Sequence, residues 1–95
     1  MTEKSGVIFI GRKPAMSYVL AIITSVSTSN VKEITLKARG KAITTAVDVA
    51  EITRNRFIKD LKISKITIGT EELPPREGET RVRMVSTMEI TLTKG

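Results

Sequence analysis

Apolar positions along this chain alternate between two spacings, and each change of spacing marks a new element. Val7-Ile8-Phe9-Ile10 is a continuous apolar run bounded by Gly6 and Gly11, the form of a short strand buried on both faces. Beyond Pro14, which suits the first turn of a helix, Met16, Val19, Leu20, Ile23 and Val26 recur at helical spacing as far as about Thr28. Ala15, Tyr18 and Ile22 widen that apolar side, so cover on more than one face is expected. A polar turn, Ser27 to Asn30, follows. From Val31 to Ala38 the spacing falls to two, with Ile34, Leu36 and Ala38 on one face and Glu33, Thr35 and Lys37 on the other. That is a half-buried strand.

Gly40 ends it, and the spacing predicts a second helix from about Lys41 to Phe57 or Ile58. Its inner stripe reads Ile43, Ala46, Val47, Ala50 and Phe57; its outer face carries Asp48, Glu51 and Asn55, with Glu51 and Arg54 at i,i+3. A third strand is expected over Lys65–Leu73, with Ile66 and Ile68 inward. Leu61 and Ile63 are out of phase with them, so a bulge is expected between 63 and 66. Pro74 to Glu79 is too rich in proline and charge to continue a ladder. The final strand places Val82, Met84, Ser86, Met88, Ile90 and Leu92 inward and Arg81, Arg83, Thr87, Glu89, Thr91 and Thr93 outward. The order βαβαββ predicts an α+β two-layer fold ending in a hairpin. No repeat or linker divides the chain, so residues 1–95 are expected to form one domain, with 1–6 flexible and 74–80 a hairpin arm.

Charge changes this picture more than composition does. The 95 residues carry 16 Lys+Arg against 10 Asp+Glu, a net +6 with a pI near 10.0. Residues 1–65 hold twelve basic and five acidic side chains (+7), and residues 66–95 hold four and five (−1). A basic body of this kind fits a polyanionic partner. Cysteine and histidine are both absent, which excludes a disulfide framework, soft metal sites and every Cys- or His-based catalytic device. The longest apolar stretch, Tyr18 to Ile23, is far below the roughly 20 residues that span a bilayer. Thr2 rules out N-myristoylation, no signal-peptide pattern precedes the first strand, and an intracellular soluble protein is expected.

The basic residues also sit in unusual places. Gly11-Arg12-Lys13-Pro14 and Lys37-Ala38-Arg39-Gly40-Lys41 each stand directly before a helix. A helix N-terminus carries about +0.5 charge, and each cation there costs about 0.3–1 kcal/mol. An outside anion would resolve both mismatches, and free N–H groups beside long cationic side chains describe a phosphate cradle. Gly40 permits close backbone approach or a positive φ. With 3% aromatics the sheet lacks the stacking residues of an RNA-recognition motif, so recognition should rest on backbone and shape. No paired carboxylates form a shaped acid/base site, and G-x-x-x-x-G-K-[ST] is absent. No enzymatic activity and no cofactor or metal are expected.

Several of these segments together resemble the Alba family of archaeal chromatin proteins. They are Ile10-Gly11-Arg12-Lys13-Pro14, Tyr18-Val19-Leu20-Ala21, Lys37-Ala38-Arg39-Gly40-Lys41-Ala42-Ile43, Ala46-Val47-Asp48, Arg54-Asn55-Arg56-Phe57 and Val85-Ser86-Thr87-Met88-Glu89-Ile90, in order from Val7 onward. The resemblance implies a fold like the C-terminal domain of translation initiation factor 3. It also implies a homodimer that binds double-stranded DNA, and often RNA, with little sequence preference, coating and compacting the chromosome in the cytoplasm. Heterodimers with a paralogue and arrays of dimers are further implied partners, and no membrane is.

By that resemblance, Arg12 and Lys13 lie against the nucleic-acid backbone, as do Arg39, Gly40 and Lys41, and Arg76 sits in an arm that reaches along the minor groove. Phe57 is implied in dimer–dimer contact. Arg54, Arg56, Arg81 and Arg83 read as secondary basic residues. Arg12 stands where many relatives carry lysine, which leaves Lys13 as the acetylation candidate. Glu71, Glu72, Glu77 and Glu79 surround Arg76 and oppose its approach to phosphate. Alba-like proteins also occur in RNase P particles, so the alternative function is an RNA-binding ribonucleoprotein subunit.

Overall fold

The fold is organised by one parallel strand pair and the helix that links its members. In the computed structural model, which describes residues 5–95, β1 (Ser5–Phe9) runs parallel to β2 (Glu33–Arg39), and α1 (Ala15–Thr28) makes the crossover. α2 (Ala42–Ile52) continues into a π-helical segment, Thr53–Phe57, before β3 (Leu61–Leu73) and β4 (Arg83–Lys94) close as an antiparallel hairpin. β4 also pairs antiparallel with β2, so the sheet order is β1-β2-β4-β3. This is an α+β fold of two helices on a four-stranded mixed sheet.

The core lies between one sheet face and the two helices. Val19 and Ile22 of α1, Ile34 and Leu36 of β2, Val49 of α2, Leu61 of β3 and Leu92 of β4 are all essentially inaccessible to solvent. Alternation in β2 is as the spacing predicts, with Ile34, Leu36 and Ala38 buried. The expected bulge is present as a register shift between Ile63 and Lys65. Thr53, fully buried, satisfies its hydroxyl by donating to the Val49 carbonyl at 2.7 Å. The Ile58 N–H reaches back to the Thr53 carbonyl at 2.8 Å, a wider ring than the α-helical one, and this rotates Arg54, Arg56 and Phe57 away from the α2 stripe.

Several burial expectations are corrected by the one-sided sheet. β1 is an edge strand and is not covered on both faces; Val7 and Phe9 share the open face with their partners Thr35 and Lys37. Of the segment 1–6 expected to be flexible, residues 1–4 lie outside the described residues, and Ser5 and Gly6 pair with Glu33 and Ile34. In α1 the buried stripe runs through Tyr18, Val19, Ile22 and Val26, leaving Met16 and Leu20 exposed. In α2 it runs through Ala46, Val49 and Ala50, leaving Val47 and Phe57 exposed.

α2 packs on β2 and β4, whereas β3 meets mainly β4 and the π-helical segment. Ile66 and Ile68 therefore lie on the helix side of the sheet, beside Ile90 and Met88, yet are left exposed among the described residues. Val82 and Met84 are exposed as well. Strand pairing to β2 stops at Thr87, but the β3–β4 ladder continues to Leu73 and Arg83. That overhang spans roughly 14 Å at about 3.4 Å per residue. It lengthens the molecule to 47 Å along one axis and raises the radius of gyration to 14.9 Å, against about 12 Å for a compact chain of this length.

Candidate nucleic-acid interface

Because β1 and β2 are parallel, the segments that leave them emerge at the same end of the sheet. This brings together two basic clusters separated by more than twenty positions in sequence. Arg12 and Lys13 from the first segment and Arg39 and Lys41 from the second line one open groove of about 1140 Å³, with Phe9, Lys37, Glu71 and Glu89 also on its walls. The carboxyl ends of parallel strands are where α/β sheets habitually hold ligands.

Both helices that start at this groove lack acidic residues in their first turns, and neither N-cap makes a side-chain bond. The two ends therefore remain electropositive and adjacent to cations. The first segment is not an open amide cradle, however. The Tyr18 hydroxyl accepts the Gly11 N–H at 2.8 Å and the Lys13 N–H at 3.2 Å. Those two donors are already engaged, which corrects the expectation of free loop amides there. What remains for an anion is the pair of exposed side chains, Arg12 and Lys13, on a loop braced from beneath. Tyr18 is itself buried at 7% exposure, a packing and bracing residue rather than a stacking platform.

The second segment turns sharply. Gly40 has φ +58°, its N–H donates to the Ser86 carbonyl at 2.9 Å, and its carbonyl accepts the Ile43 N–H at 3.1 Å. An L side chain is strained at this φ, so glycine lets Arg39 and Lys41 flank the turn without that strain.

Two of the groove cations have internal partners. Arg39 Nη1 lies 3.1 Å from Glu71 Oε1, and Lys37 Nζ lies 3.7 Å from Glu89 Oε1. The Arg39 pair spans the sheet: Arg39 and Gly69 both register with Thr87, and Glu71 sits two residues beyond Gly69. All four side chains are about half exposed, so these pairs can exchange with an incoming phosphate. Arg12, Lys13 and Lys41 form no ion pair among the described residues.

The remaining basic residues do not line the groove. Arg54 and Arg56 sit in the π-helical segment, where Glu51 binds Arg54 and raises its pKa further by hydrogen bonding and charge. Arg76 and Arg81 lie in the connection between β3 and β4, and Arg83 begins β4. Phe57, beside Arg56, is 49% exposed and belongs to no core.

Of the residues at this groove, Phe9 and Tyr18 have no place in a site from sequence alone, and the sequence sets Glu71 beside Arg76 instead. Lys37 was legible as an outward strand residue next to Arg39. Glu71 registers near Arg39 only once β4 is threaded between β2 and β3. Among the described residues no group of His, Cys, Asp and Glu could hold a metal ion, and no helix is long and apolar enough to cross a membrane.

Comparison with known proteins gives the same outline. The profile of the family described as Alba matches residues 6–70. A DNA/RNA-binding protein Alba from Picrophilus torridus is 50% identical over 94 residues, covering 99% of this chain and 100% of that protein. The structure of Alba from Thermoplasma volcanium superposes with a TM-score of 0.82 at 50% identity, covering 92% of this chain and 98% of that one. ALBA1 from Trypanosoma brucei aligns with a TM-score of 0.69 at 25% identity, over 100% of this chain and 72% of the other.

Proposed function

The chain belongs to the Alba family, and from that premise we propose that it binds duplex DNA through the phosphate backbone without sequence preference. In this reading it coats and compacts the chromosome in the cytoplasm, binds RNA as well, and acts by binding rather than by catalysis. The observation that carries the proposal is the convergence of Arg12, Lys13, Arg39 and Lys41 on one groove beside two helix N-termini. The relatives that cover nearly the whole chain are themselves named DNA/RNA-binding proteins.

A homodimer is part of the proposal. Ile66, Ile68, Val82 and Met84 are all more than half exposed and lie on or beside the β3–β4 hairpin. A monomer gains nothing by leaving such a stripe in water, and a second copy would cover it. The overhanging hairpin then serves as the arm that carries Arg76 along the duplex. In this reading Phe57 and the arginines beside it meet the next dimer in an array, and a paralogue could replace one subunit. Lys13, which forms no ion pair among the described residues, is the acetylation candidate.

Two grooves per dimer offer eight of these cations. Roughly six to eight phosphates neutralised would give a log–log salt slope of about −5 to −7. The test is a competition titration of duplex DNA against structured RNA from about 50 to 300 mM salt, with wild type and an Arg12→Glu/Lys13→Glu variant. A steep duplex affinity lost in the variant supports the proposal. A flat salt dependence, or a variant that binds as well as wild type, refutes it. A clear preference for structured RNA would favour the ribonucleoprotein alternative.

A further inference from the structure

Phe9 is 74% exposed, and among the described residues it is the only aromatic on the groove wall. Its side chain stands on the open face of the sheet, directly in register with Lys37 and three residues before Arg12. Phe9 is neither part of the core nor packed against it. Its neighbours say what would cover it. The groove around it carries Arg12, Lys13, Lys37, Arg39 and Lys41, so its complement is anionic as well as flat.

We propose that Phe9 is a stacking platform for an unpaired base, making this end of the sheet a subsite for single-stranded nucleic acid. The inference rests on the groove being the phosphate-binding site. In a duplex both faces of each base are occupied by neighbouring bases, so an exposed ring beside the backbone has nothing to stack on. A single-stranded or looped-out nucleotide presents a free face, and its phosphates reach the same cations that hold a duplex. The chain can thus grip both forms by charge while Phe9 responds to one of them. Selection between paired and unpaired nucleic acid comes from a single side chain, and it is tolerant of base identity because every base has a π-face.

The test compares wild type, Phe9→Ala and Phe9→Leu on four probes at one salt concentration: oligo(U), its deoxy counterpart oligo(dT), an abasic single strand of equal length, and a duplex. The ratio of single-strand to duplex affinity is expected to fall about tenfold in Phe9→Ala, for both oligo(U) and oligo(dT). Phe9→Leu should resemble Phe9→Ala, because bulk without a π-face does not stack. On the abasic strand the difference between wild type and Phe9→Ala should vanish. The chain has no tryptophan, so Phe9→Trp adds a lone reporter, whose fluorescence should be quenched by oligo(U) and not by the duplex.

An unchanged ratio in Phe9→Ala overturns the proposal. So does equal quenching by single strand and duplex, or a change of oligomeric mass in Phe9→Ala with the ratio intact, which would assign Phe9 to a protein contact. Failure of the groove itself would show differently, as duplex affinity indifferent to Arg12→Glu/Lys13→Glu.

Discussion

Replacing Glu71 with glutamine should strengthen DNA binding, although it deletes an ion pair. In the free protein Arg39 is held by Glu71 at 3.1 Å, with the two side chains 56% and 47% exposed. A phosphate that takes Arg39 must displace this carboxylate and then tolerate it nearby. An exposed pair is worth about 0–1 kcal/mol. Residual repulsion between a carboxylate and a phosphate about 7 Å apart in a water-like medium adds about 0.6 kcal/mol. Together these amount to about 1 kcal/mol per groove, or roughly fivefold in affinity, since about 1.4 kcal/mol is tenfold. Glutamine keeps the shape and removes the charge, so one more uncompensated cation faces the DNA and the salt slope should steepen by about 0.9 per groove. The assay is fluorescence anisotropy of a labelled duplex over a salt series, with a thermal melt to show that the fold is intact. Glu89→Gln, which frees Lys37 from a longer 3.7 Å contact, should give a smaller gain. Unchanged or weaker binding in a folded Glu71→Gln protein would refute the idea that the carboxylate competes with phosphate for Arg39.

Two further outcomes follow from the geometry. Tyr18→Phe removes the acceptor for the Gly11 and Lys13 N–H groups; at about 0.5–1.5 kcal/mol per bond, a thermal melt should show a loss of about 1–3 kcal/mol. Duplex affinity should fall a few-fold as the Arg12–Lys13 segment loosens. Ile68→Glu places a charge on a residue 75% exposed in the single chain, so it should leave a folded monomer stable within about 0.5 kcal/mol while shifting sedimentation from dimer to monomer and weakening duplex binding.

The elements were legible in the sequence; what covers them was less so. β2 was read correctly because one of its faces is fully buried and the other polar, a contrast that alternation records directly. The bulge between Ile63 and Lys65 was legible because it breaks phase within one strand. Phe9, Ile66 and Ile68 lie in water where the apolar pattern predicts burial, and for a common reason: apolarity marks a residue that avoids water, without saying whether the same chain supplies the cover. The four groove cations could be named from their position before helices. Their convergence and the Arg39–Glu71 contact depend on strand order, which joins residues far apart in sequence. Nothing in Thr53–Phe57 announces a π-helical turn, and it was that turn which moved Phe57 off the predicted stripe.

β4 comes after every other described strand in sequence, yet it lies between β2 and β3 in the sheet. Leu36 registers with Ile90, 54 positions away, so β2 cannot complete its ladder until that distant segment arrives. A chain cut in the 74–82 connection leaves β2 and β3 each without the neighbour that joins them. Folding must therefore proceed through long-range closure, slower than the formation of either helix. Before β4 docks, Arg39 and Glu71 have no common scaffold and Gly40 has no Ser86 carbonyl to hold its turn. The chain carries its positive charge from the start, but the arrangement that holds Arg39 against Glu71 and fixes the Gly40 turn arrives only with β4, so an incomplete chain has the charge without its geometry.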